Sequence, residues 1–358
     1  MDNILDVLKE FENAGYEAYF VGGYPRDLYM GLSTIDYDIT TSATPKEIKE
    51  IFNEVTSDNY GCVNFIYKNN KFQATTYRKE LKYKDNRKPI EIEYINDLKI
   101  DLMRRDFTIN TLCLDSNGNL LDYLNGKEDI DNKIIKVVGN TNKKLQEDAL
   151  RILRAIRFAT TLNFELSKEL YEGIKKYGYL VEELSYDRKK EELDKIFLSN
   201  NIDYGIKLIR ELDLERPLEI NTYNLKKTTY LVGIWAQLNA KNYRFNKSEA
   251  ETIKQVNELL KLDILDKLNL YKYGLYISSM AAEIKEIDID KVNLEYNSLK
   301  IKDRNDIKIT PVEICDVINE KPSAILNDIL SDLEEKIIYE KLENDKDKII
   351  EYLKKVYL

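Results

Sequence analysis

Two patterns of apolar residues divide the chain near residue 140. In the first part, short runs rich in β-branched and aromatic residues are bounded by turn residues, as strands are. These runs are EAYFVGG, IDYDITT, CVNFIYKNNKFQATTYR, IEIEYIND and KIIKVVG. From Leu145 onward, apolar residues recur every three or four positions, for example in ALRILRAIRFATTL, YGIKLIREL and TIKQVNELLKL. The pattern predicts an α+β chain, in which a mixed α/β region precedes a long helical region.

The composition excludes several kinds of chemistry. The chain has 358 residues, a formal net charge of −9 and no histidine. Catalytic triads and zinc sites that depend on histidine are therefore impossible. Acid–base or metal chemistry has to use carboxylates, Lys, Tyr or Arg, and carboxylates favour hard cations, above all magnesium.

Cysteine usage and hydropathy indicate the compartment. The three cysteines are widely spaced, so neither a disulfide framework nor a zinc site is expected. No apolar run approaches the length of a membrane span, and the N-terminal segment is amphipathic rather than signal-like. We expect a cytoplasmic protein that does not insert into membranes.

Positive charge is concentrated in one segment of this acidic chain. Between Lys68 and Lys88 there are eight basic residues and two acidic ones. Such a segment is suited to contact phosphates, but a solvated surface loop would have the same composition. The basic residues are Lys68, Lys71, Arg78, Lys79, Lys82, Lys84, Arg87 and Lys88.

Two motifs follow the first predicted strand. Gly22 and Gly23 would let backbone N–H groups approach an anion, and the nearby Arg26 would supply positive charge. Asp36 and Asp38 would point to the same face of a strand, and paired carboxylates repel unless a divalent cation neutralises them. Either motif alone is common in ordinary turns or exposed strands. Their combination in this order favours a phosphate-binding and magnesium-binding site.

Two further motifs carry arginines. In MRRDFTIN, Arg105 and Asp106 suit a polyanion and a sugar hydroxyl, although a surface ion pair would have the same sequence. In EDALRILRAIRF, a helix would bury one apolar stripe and place three arginines on the opposite side, facing a polar cleft. The polar residues of this motif are Asp148, Arg151, Arg154 and Arg157.

Taken in order, these motifs resemble those of the class II CCA-adding enzymes (tRNA nucleotidyltransferases) of the nucleotidyltransferase superfamily, in particular the short bacterial type. The motifs are VGGYPRDLYMG, DYDITTSATP, RRDFTINTL, LDYLNGKEDIDNKIIKVVG, QEDALRILRAIRFA, LSYDRKKEELDKIF and KPSAILNDILSDLEEKI. The resemblance implies a mixed β-sheet nucleotidyltransferase head followed by all-helical neck, body and tail domains. We place these domains at residues 1–140, 141–200, 201–300 and 301–358.

The resemblance also implies roles for the site residues. Asp36 and Asp38 would be the catalytic pair that holds magnesium, and Asp148 with Arg151 would pair with the incoming base. Asp106 would lie near the ribose. The other nucleotide-binding positions would be Gly22, Gly23 and Arg26 at the triphosphate, together with Arg105, Arg154 and Arg157.

Two further features bear on the activity: a segment after the predicted catalytic strands, and the residue at position 73. The segment TYRKELKYKDNRKPIEIEY is similar to the family's flexible loop, which enzymes that add only CC tend to lack. Its presence favours addition of the final A. A third catalytic carboxylate is not identified, because Gln73 occupies a strand position where an acid would be expected.

The implied activity is template-independent addition of C, C and A to the 3′ end of tRNA, with CTP and ATP as substrates and pyrophosphate as product. An A-adding or CC-adding partial enzyme would share almost every motif. A poly(A) polymerase would share the head, but its GRRF-type segment is absent. A catalytically silent RNA-binding protein is a further alternative, against which the intact Asp36 and Asp38 argue. The sequence is compatible with a monomer or a homodimer.

Overall fold

The computed structural model describes residues 2–59, 61–84, 88–319 and 324–358. Arg87 of the basic segment and the start of the tail motif at 321–323 lie outside these residues. The chain separates into two compact units, Met1–Glu219 and Ile220–Leu358. The division into four domains stays a prediction.

Strands are confined to the first unit among the described residues. They are β1 Ala18–Val21, β2 Tyr37–Thr41, β3 Val55–Asn59, β4 Cys62–Tyr67, β5 Asn70–Thr76, β6 Arg78–Lys84, β7 Lys88–Tyr94, β8 Cys113–Leu114, β9 Leu120–Leu121, β10 Ile134–Ile135 and β11 Glu165–Leu166. Seven of them form a mixed sheet in the order β3-β4-β5-β2-β1-β8-β9. In it, β2 is parallel to β5 and antiparallel to β1.

Helices complete the first unit and account for the described part of the second. Those of the first unit are α1 Asp2–Asn13, α2 Gly23–Tyr29, α3 Pro45–Ile51, α4 Leu98–Met103, α5 Gly126–Asp131, α6 Thr141–Glu147, α7 Leu150–Leu162, α8 Lys168–Tyr177, α9 Tyr186–Phe197, α10 Ile202–Glu211 and α11 Glu215–Leu218, with 3-10 turns at Thr108–Asn110 and Gly178–Glu183. Those of the second are α12 Leu231–Gln237, α13 Lys247–Leu259, α14 Lys267–Lys285, α15 Ile289–Ser298, α16 Pro311–Ile318, α17 Ala324–Ile338 and α18 Lys346–Tyr357, with a 3-10 turn at Arg304–Asp306.

Alternation along the strands gives the sheet one buried face and one polar face. Ile39, Phe72 and Ala74 belong to a core that also contains Leu8 and Phe11 of α1. Burying one such large apolar side chain contributes about 1.5–3 kcal/mol. The opposite face carries Asp38 of β2, whose partner in register on β5 is Gln73. The sheet therefore fixes the polar face by packing its other face.

The second unit has its own apolar core, formed by residues of α13, α14 and α17 such as Leu259, Met280 and Leu333. Helix α14 is kinked at Gly274, where φ is 71°. Helix α16 begins with Pro311, and the side chains of Thr310 and Glu313 form a capping box there.

The predicted α+β organisation is confirmed, with one addition. The short strand β11 lies in the part expected to be helical, and it pairs with β10 of the preceding part. The strands expected at EAYFVGG and IEIEYIND are present as β1 and β7. None of the described helices combines the length and the low polarity that a membrane crossing requires.

Candidate active site

The turn with two glycines lies against one of the predicted catalytic carboxylates. Gly22 has φ 83° and ψ −123°, a backbone conformation that residues with a side chain rarely adopt. A Cβ atom at Gly22 would lie 3.8 Å from Asp38 Oδ2. The local sequence thus permits a tight turn between β1 and α2, which brings the backbone close to Asp38.

Asp36 and Asp38 are close neighbours, but they do not share a strand. Strand β2 begins at Tyr37, whose partner on β5 is Phe72, so Asp36 precedes the first residue pair and is exposed. The prediction that both residues belong to one strand is wrong for Asp36. The charge of Asp36 still acts on Asp38, which is partly buried.

The electrostatics of Asp38 indicate a site for cations. Burial and, to a smaller extent, the charge of Asp36 raise the pKa of Asp38 from 3.8 to about 6. The positive charges of Arg105 and Arg154 act in the opposite direction, which places both arginines within electrostatic range of this carboxyl group. Among the described residues, no cluster of three or more acidic or cysteine side chains is arranged to hold a metal ion.

Arg26 is held from two sides. It is 8% exposed, and its Nε and Nη2 donate to Asp27 Oδ1 over 2.8 and 2.7 Å. Its Nη1 donates to Asn110 Oδ1 over 2.7 Å. A guanidinium fixed in this way beside the glycine turn is pre-oriented for an anion.

Arg105 has a buried carboxylate partner that sequence analysis missed. Asp101 is fully buried, and its Oδ2 accepts from Arg105 Nη2 over 3.3 Å and from Thr40 Oγ1 over 3.0 Å. Its Oδ1 accepts from Arg104 Nε over 2.8 Å and from the backbone N–H of Arg78 over 3.2 Å. Burial opposes ionisation, but the two arginines lower the pKa of Asp101 below its usual value.

Arg105 retains hydrogen-bonding capacity. Its Nε is buried and has no hydrogen-bond partner among the described residues. A buried donor without a partner costs about 1–3 kcal/mol.

Asp106 is saturated by donors. Its Oδ1 accepts from the backbone N–H of Phe107 over 2.8 Å and from Asn110 Nδ2 over 3.2 Å. Its Oδ2 accepts from Arg154 Nε over 2.8 Å and pairs with Arg154 Nη2 at 2.6 Å. Burial opposes ionisation, but the charge of Arg154 and these hydrogen bonds hold the pKa of Asp106 at about 2. Asp106 can therefore receive a ribose hydroxyl only by exchanging one of these donors.

The helix expected from Glu147 to Phe158 is broken at its start. Helix α6 ends at Glu147, Asp148 is extended with φ −149° and ψ 102°, and α7 begins at Leu150. Asp148 Oδ1 accepts from the backbone N–H of Leu150 over 3.0 Å, a bond that favours a helix start over a helix interior. The prediction of one helix that includes Asp148 is therefore wrong, although the apolar stripe of α7 is buried as predicted.

The arginines of α7 are paired within the first unit. Arg151 Nη1 donates to the backbone oxygen of Lys144 over 2.6 Å and lies 3.4 Å from Glu147 Oε2. Arg157 Nε donates to Glu192 Oε2 over 2.6 Å. Burial raises the pKa of Asp148, and the charge of Arg151 opposes that shift. Asp148 and Arg151 thus remain electrostatic neighbours across the helix break.

One aromatic ring contacts three of these arginines. Phe158 is 6% exposed, and the guanidinium carbons of Arg26, Arg154 and Arg157 lie 5.4, 5.4 and 4.0 Å from its ring centroid. These are cation–π distances. The sequence motifs indicate no role for Phe158, Asn110 or Glu192. Phe158 follows Arg154 by four residues and Arg157 by one, and this spacing is not a sufficient signal, because Arg26 comes from a distant segment.

Within the basic segment, Arg78–Lys84 form strand β6, which pairs with β7 in a two-stranded antiparallel sheet, and Asn70–Thr76 form β5 of the larger sheet, so the surface-loop interpretation is wrong for these residues. The pairing runs from Arg78 with Tyr94 to Lys84 with Lys88 and contains register shifts next to Lys82. Its first backbone N–H, that of Arg78, is the one bound by Asp101. The sheet is therefore anchored to the same carboxylate as Arg105.

The described residues combine positive charge with carboxylates in one place. Arg105 and Arg154 act electrostatically on the partly buried Asp38, and the glycine turn lies against it. Two polar side chains, Asp148 and Arg151, offer an acceptor and several donors near the start of α7. This combination suits a divalent cation, phosphates and the edge of a base.

Three family models match consecutive parts of the chain. Residues 18–136 match the poly A polymerase head domain, residues 163–221 the probable RNA and SrmB-binding site of polymerase A, and residues 225–353 the putative domain 2 of tRNA nucleotidyltransferase. The strand-rich part and both helical parts are therefore each matched separately.

Curated relatives match over the whole chain. The chain is 33% identical to the CCA-adding enzyme of Ligilactobacillus salivarius, covering 98% of this chain and 96% of that protein. It is 30% identical to the CCA-adding enzyme of Bacillus cereus, with the same coverage of both chains.

Solved structures share the fold. The CCA-adding enzyme of Bacillus stearothermophilus in complex with CTP aligns with a TM-score of 0.85 and 22% identity, covering 99% of this chain and 96% of that one. The Thermotoga maritima CCA-adding enzyme complexed with tRNA-CCA aligns with a TM-score of 0.69 and 18% identity, covering 98% and 94%. The expected head, neck, body and tail type of fold is confirmed by these similarities.

Proposed function

Because the chain belongs to the family of CCA-adding enzymes, we propose that it adds C, C and A in turn to the 3′ end of tRNA, with CTP and ATP as substrates. The observation that carries this proposal is the 33% identity over 98% of the chain. A match of that extent includes the head and both helical parts, so it concerns the complete arrangement and not a shared catalytic domain alone.

The nucleotide would lie along the arginines of the site. Arg26 and the backbone at Gly22 and Gly23 would bind the triphosphate, since Gly22 adjoins Asp38 and Arg26 adjoins Gly23. Arg105, whose charge acts on Asp38, would also contact the nucleotide, and Arg154 with Asp106 would adjoin the ribose. Arg157 would support this side through Phe158.

The reaction is a nucleotidyl transfer. The 3′ hydroxyl of the RNA attacks the α-phosphate, a new P–O bond forms, and the bond to the β-phosphate breaks with release of pyrophosphate. Catalysis of this kind depends on positioning and on stabilising charge at the phosphates. The chain would supply both without histidine, because Asp27 and Asp101 hold Arg26 and Arg105 for the phosphates, and Asp106 holds Arg154 for the ribose side.

Asp36 and Asp38 fit a divalent cation, and we propose magnesium. The fit rests on the donor set, because the partly buried carboxylate of Asp38 and the exposed carboxylate of Asp36 are two residues apart, and the charge of Asp36 contributes to the raised pKa of Asp38. Magnesium bound there would supply Lewis-acid chemistry at the attacking hydroxyl and at the leaving phosphates.

Asp148 and Arg151 would select the base. Cytosine presents acceptors at O2 and N3 and a donor at N4, and adenine presents an acceptor at N1 and a donor at N6. The guanidinium and the carboxylate can match both edges, whereas uracil and guanine would turn a carbonyl oxygen toward the carboxylate. A site whose polar groups are left unpaired rejects the wrong ligand by up to about 10⁴-fold.

Three free cysteines, Cys62, Cys113 and Cys315, suit a reducing compartment. We therefore place the protein in the cytoplasm. The proposed domain division keeps residues 1–140 as the head, with the neck, body and tail at 141–200, 201–300 and 301–358.

The deciding experiment uses two trimmed substrates. Purified protein is incubated with tRNA lacking CCA, or with tRNA ending in CC, together with CTP, ATP or both, and product lengths are resolved on a gel. We expect three added nucleotides on the first substrate with both nucleotides, and one added A on the second with ATP. Extension that stops at CC, or that occurs only on the CC-ended substrate, would identify a partial enzyme.

A poly(A) polymerase is the second candidate, because the model that matches residues 18–136 describes a poly A polymerase head domain. The same assay separates the two functions. A ladder of many added A residues, formed on RNAs other than tRNA as well, would identify the polymerase.

A further inference from the structure

Asn110 lies between two charged groups of the site. It ends the 3-10 turn Thr108–Asn110 and is 7% exposed. Its Oδ1 accepts from Arg26 Nη1 over 2.7 Å, and its Nδ2 donates to Asp106 Oδ1 over 3.2 Å. The reverse orientation of the amide would set donor against donor and oxygen against carboxylate, so the charges on either side fix this orientation.

Through Asn110, two arginines from different elements are joined in one chain of hydrogen bonds. Arg26 belongs to α2, and Arg154, which binds the other oxygen of Asp106, belongs to α7. The order along the chain is Arg26, Asn110, Asp106 and Arg154. Only the amide in this chain is neutral, and it connects Arg26 on the glycine-turn side to Asp106 on the α7 side through hydrogen bonds.

Removing the amide would leave its neighbours well bonded. Arg26 would keep both of its bonds to Asp27. Asp106 would keep Arg154 and the backbone N–H of Phe107. A substitution at Asn110 therefore interrupts the link without leaving an unpaired buried charge.

A second route joins the same arginines. The ring of Phe158 lies 5.4 Å from the guanidinium carbon of Arg26 and 5.4 Å from that of Arg154. Because this contact uses a different side chain, its contribution can be separated by mutation.

We propose that Asn110 is a positioning residue that couples binding of the nucleotide's phosphates at Arg26 to binding of its nucleoside part beside Arg154. The inference rests on the proposed function, since it takes both arginines as nucleotide contacts. When phosphates engage Arg26, the amide orients Asp106, and Asp106 orients Arg154. Thermodynamic reciprocity requires that the nucleoside part strengthens phosphate binding by the same factor.

The test compares CTP with CMP, which lacks the two outer phosphates. Dissociation constants are measured by calorimetry or competition in magnesium-containing buffer for the wild type, Arg154→Lys, Asn110→Ala and the double variant. In the native background, we expect Arg154→Lys to weaken CTP about fivefold more than CMP. In the Asn110→Ala background, we expect the same substitution to weaken both ligands equally.

Asn119→Ala is the matched control. Asn119 Nδ2 donates to Asp115 Oδ2 over 2.9 Å at a spacing of four residues, as Asn110 does to Asp106, but it lies in the turn between β8 and β9. In the Asn119→Ala background, Arg154→Lys should still weaken CTP binding more than CMP binding. Thermal unfolding of Asn110→Ala and Asn119→Ala measures how much stability each variant loses with its Asn–Asp hydrogen bond.

Several results would overturn the inference. One is that Arg154→Lys still weakens CTP binding more than CMP binding in the Asn110→Ala background. A second is that Arg154→Lys weakens both ligands equally in the native background. Another is that the unequal effect of Arg154→Lys on CTP and CMP disappears in the Phe158→Leu background but remains in the Asn110→Ala background, which would assign the coupling to the aromatic ring. A wild-type protein that binds no CTP would overturn the proposed function and this inference with it.

Discussion

Thr40 donates from its hydroxyl to Asp101 Oδ2 over 3.0 Å, although 61 residues separate them. Thr40 lies two residues after Asp38 on β2, so this bond connects the strand that carries the proposed catalytic carboxylate to the helix that precedes Arg105. The same carboxylate binds the first backbone N–H of β6. Asp101 thus fixes three elements of the site with one side chain.

Asp101→Asn is expected to destabilise the protein and to slow nucleotide addition. The amide keeps the shape but loses the charge that compensates Arg104 and Arg105, and removing one partner of a buried ion pair costs about 3 kcal/mol. Urea unfolding and single-turnover incorporation measure the two effects. The control is Asp97→Asn, because Asp97 caps the same helix and Asn caps equally well. Equal stability of both variants would contradict the role given to Asp101.

Asp36→Ala and Asp38→Ala should each reduce nucleotide addition by more than about 100-fold, because loss of a metal ligand removes several kcal/mol of transition-state stabilisation. Affinity for tRNA should stay within about twofold of the wild type, since RNA binding rests mainly on contacts to the backbone. Incorporation assays and filter binding measure these quantities. A variant that retains more than a hundredth of the wild-type rate would exclude its residue as a metal ligand.

The raised pKa of Asp38 predicts a pH dependence of stability in the metal-free protein. The pKa of the Asp38 carboxyl group is about 6 in the folded protein and about 3.9 in the unfolded chain, so between these pH values the folded state binds more protons. Stability relative to Asp38→Asn should therefore fall as the pH rises from about 4 to 6 and then level off. Denaturant unfolding of both proteins in a chelator across this range is the measurement. A constant difference between them would show that Asp38 titrates normally.

Neutral substitutions at Lys82, Lys84, Arg87 and Lys88, or deletion of the segment, should impair addition of A more than addition of CC. The reason is the similarity of this segment to the family's flexible loop, together with its excess of positive charge. Incorporation on the two trimmed tRNAs gives the ratio of A to CC addition. If both fall in equal proportion, the segment contributes only a general RNA contact.

Asp148→Ala should relax base discrimination and admit UTP or GTP, because the repulsion between its carboxylate and a base carbonyl is removed. Arg151→Ala should instead weaken the use of CTP and ATP together, since it removes the donors that both bases require. Single-turnover incorporation of each of the four nucleotides distinguishes the two effects. Asp187→Ala, at an exposed position in the first turn of α9, serves as the control. Unchanged preference in Asp148→Ala would mean that this residue does not contact the base.

The sequence was sufficient for those parts of the site that depend on local patterns. The glycine turn before α2 and the carboxylate on β2 follow from a few adjacent residues, and both are present. The start of α7 was placed wrongly because an apolar stripe at 149, 152, 153 and 156 fits a helix that begins at either 147 or 150. Periodicity does not specify where a helix starts, whereas the bond from Asp148 to Leu150 does.

Residues that act through distant partners were not predictable. Asp101 stands four residues before Arg105, and this spacing is visible in the sequence as a possible helical ion pair. Its complete burial depends on Thr40 and on the backbone of Arg78, which lie 61 and 23 residues away. Asn110 is 84 residues from Arg26. Only the folded structure brings these groups together, so their contacts cannot be predicted from an isolated motif.

The interruption between α6 and α7 separates Asp148 from the helix that carries Arg151, the two side chains proposed to select the base. On a continuous helix, Asp148 and Arg151 would be held at one separation. With Asp148 in extended backbone, its position depends on the torsion angles of the connection, while that of Arg151 follows α7. A nucleic-acid template meets a new base by presenting its next nucleotide. Under the proposed function, the same two side chains would face each incoming base, and the backbone torsion angles between α6 and α7 would set the distance between them.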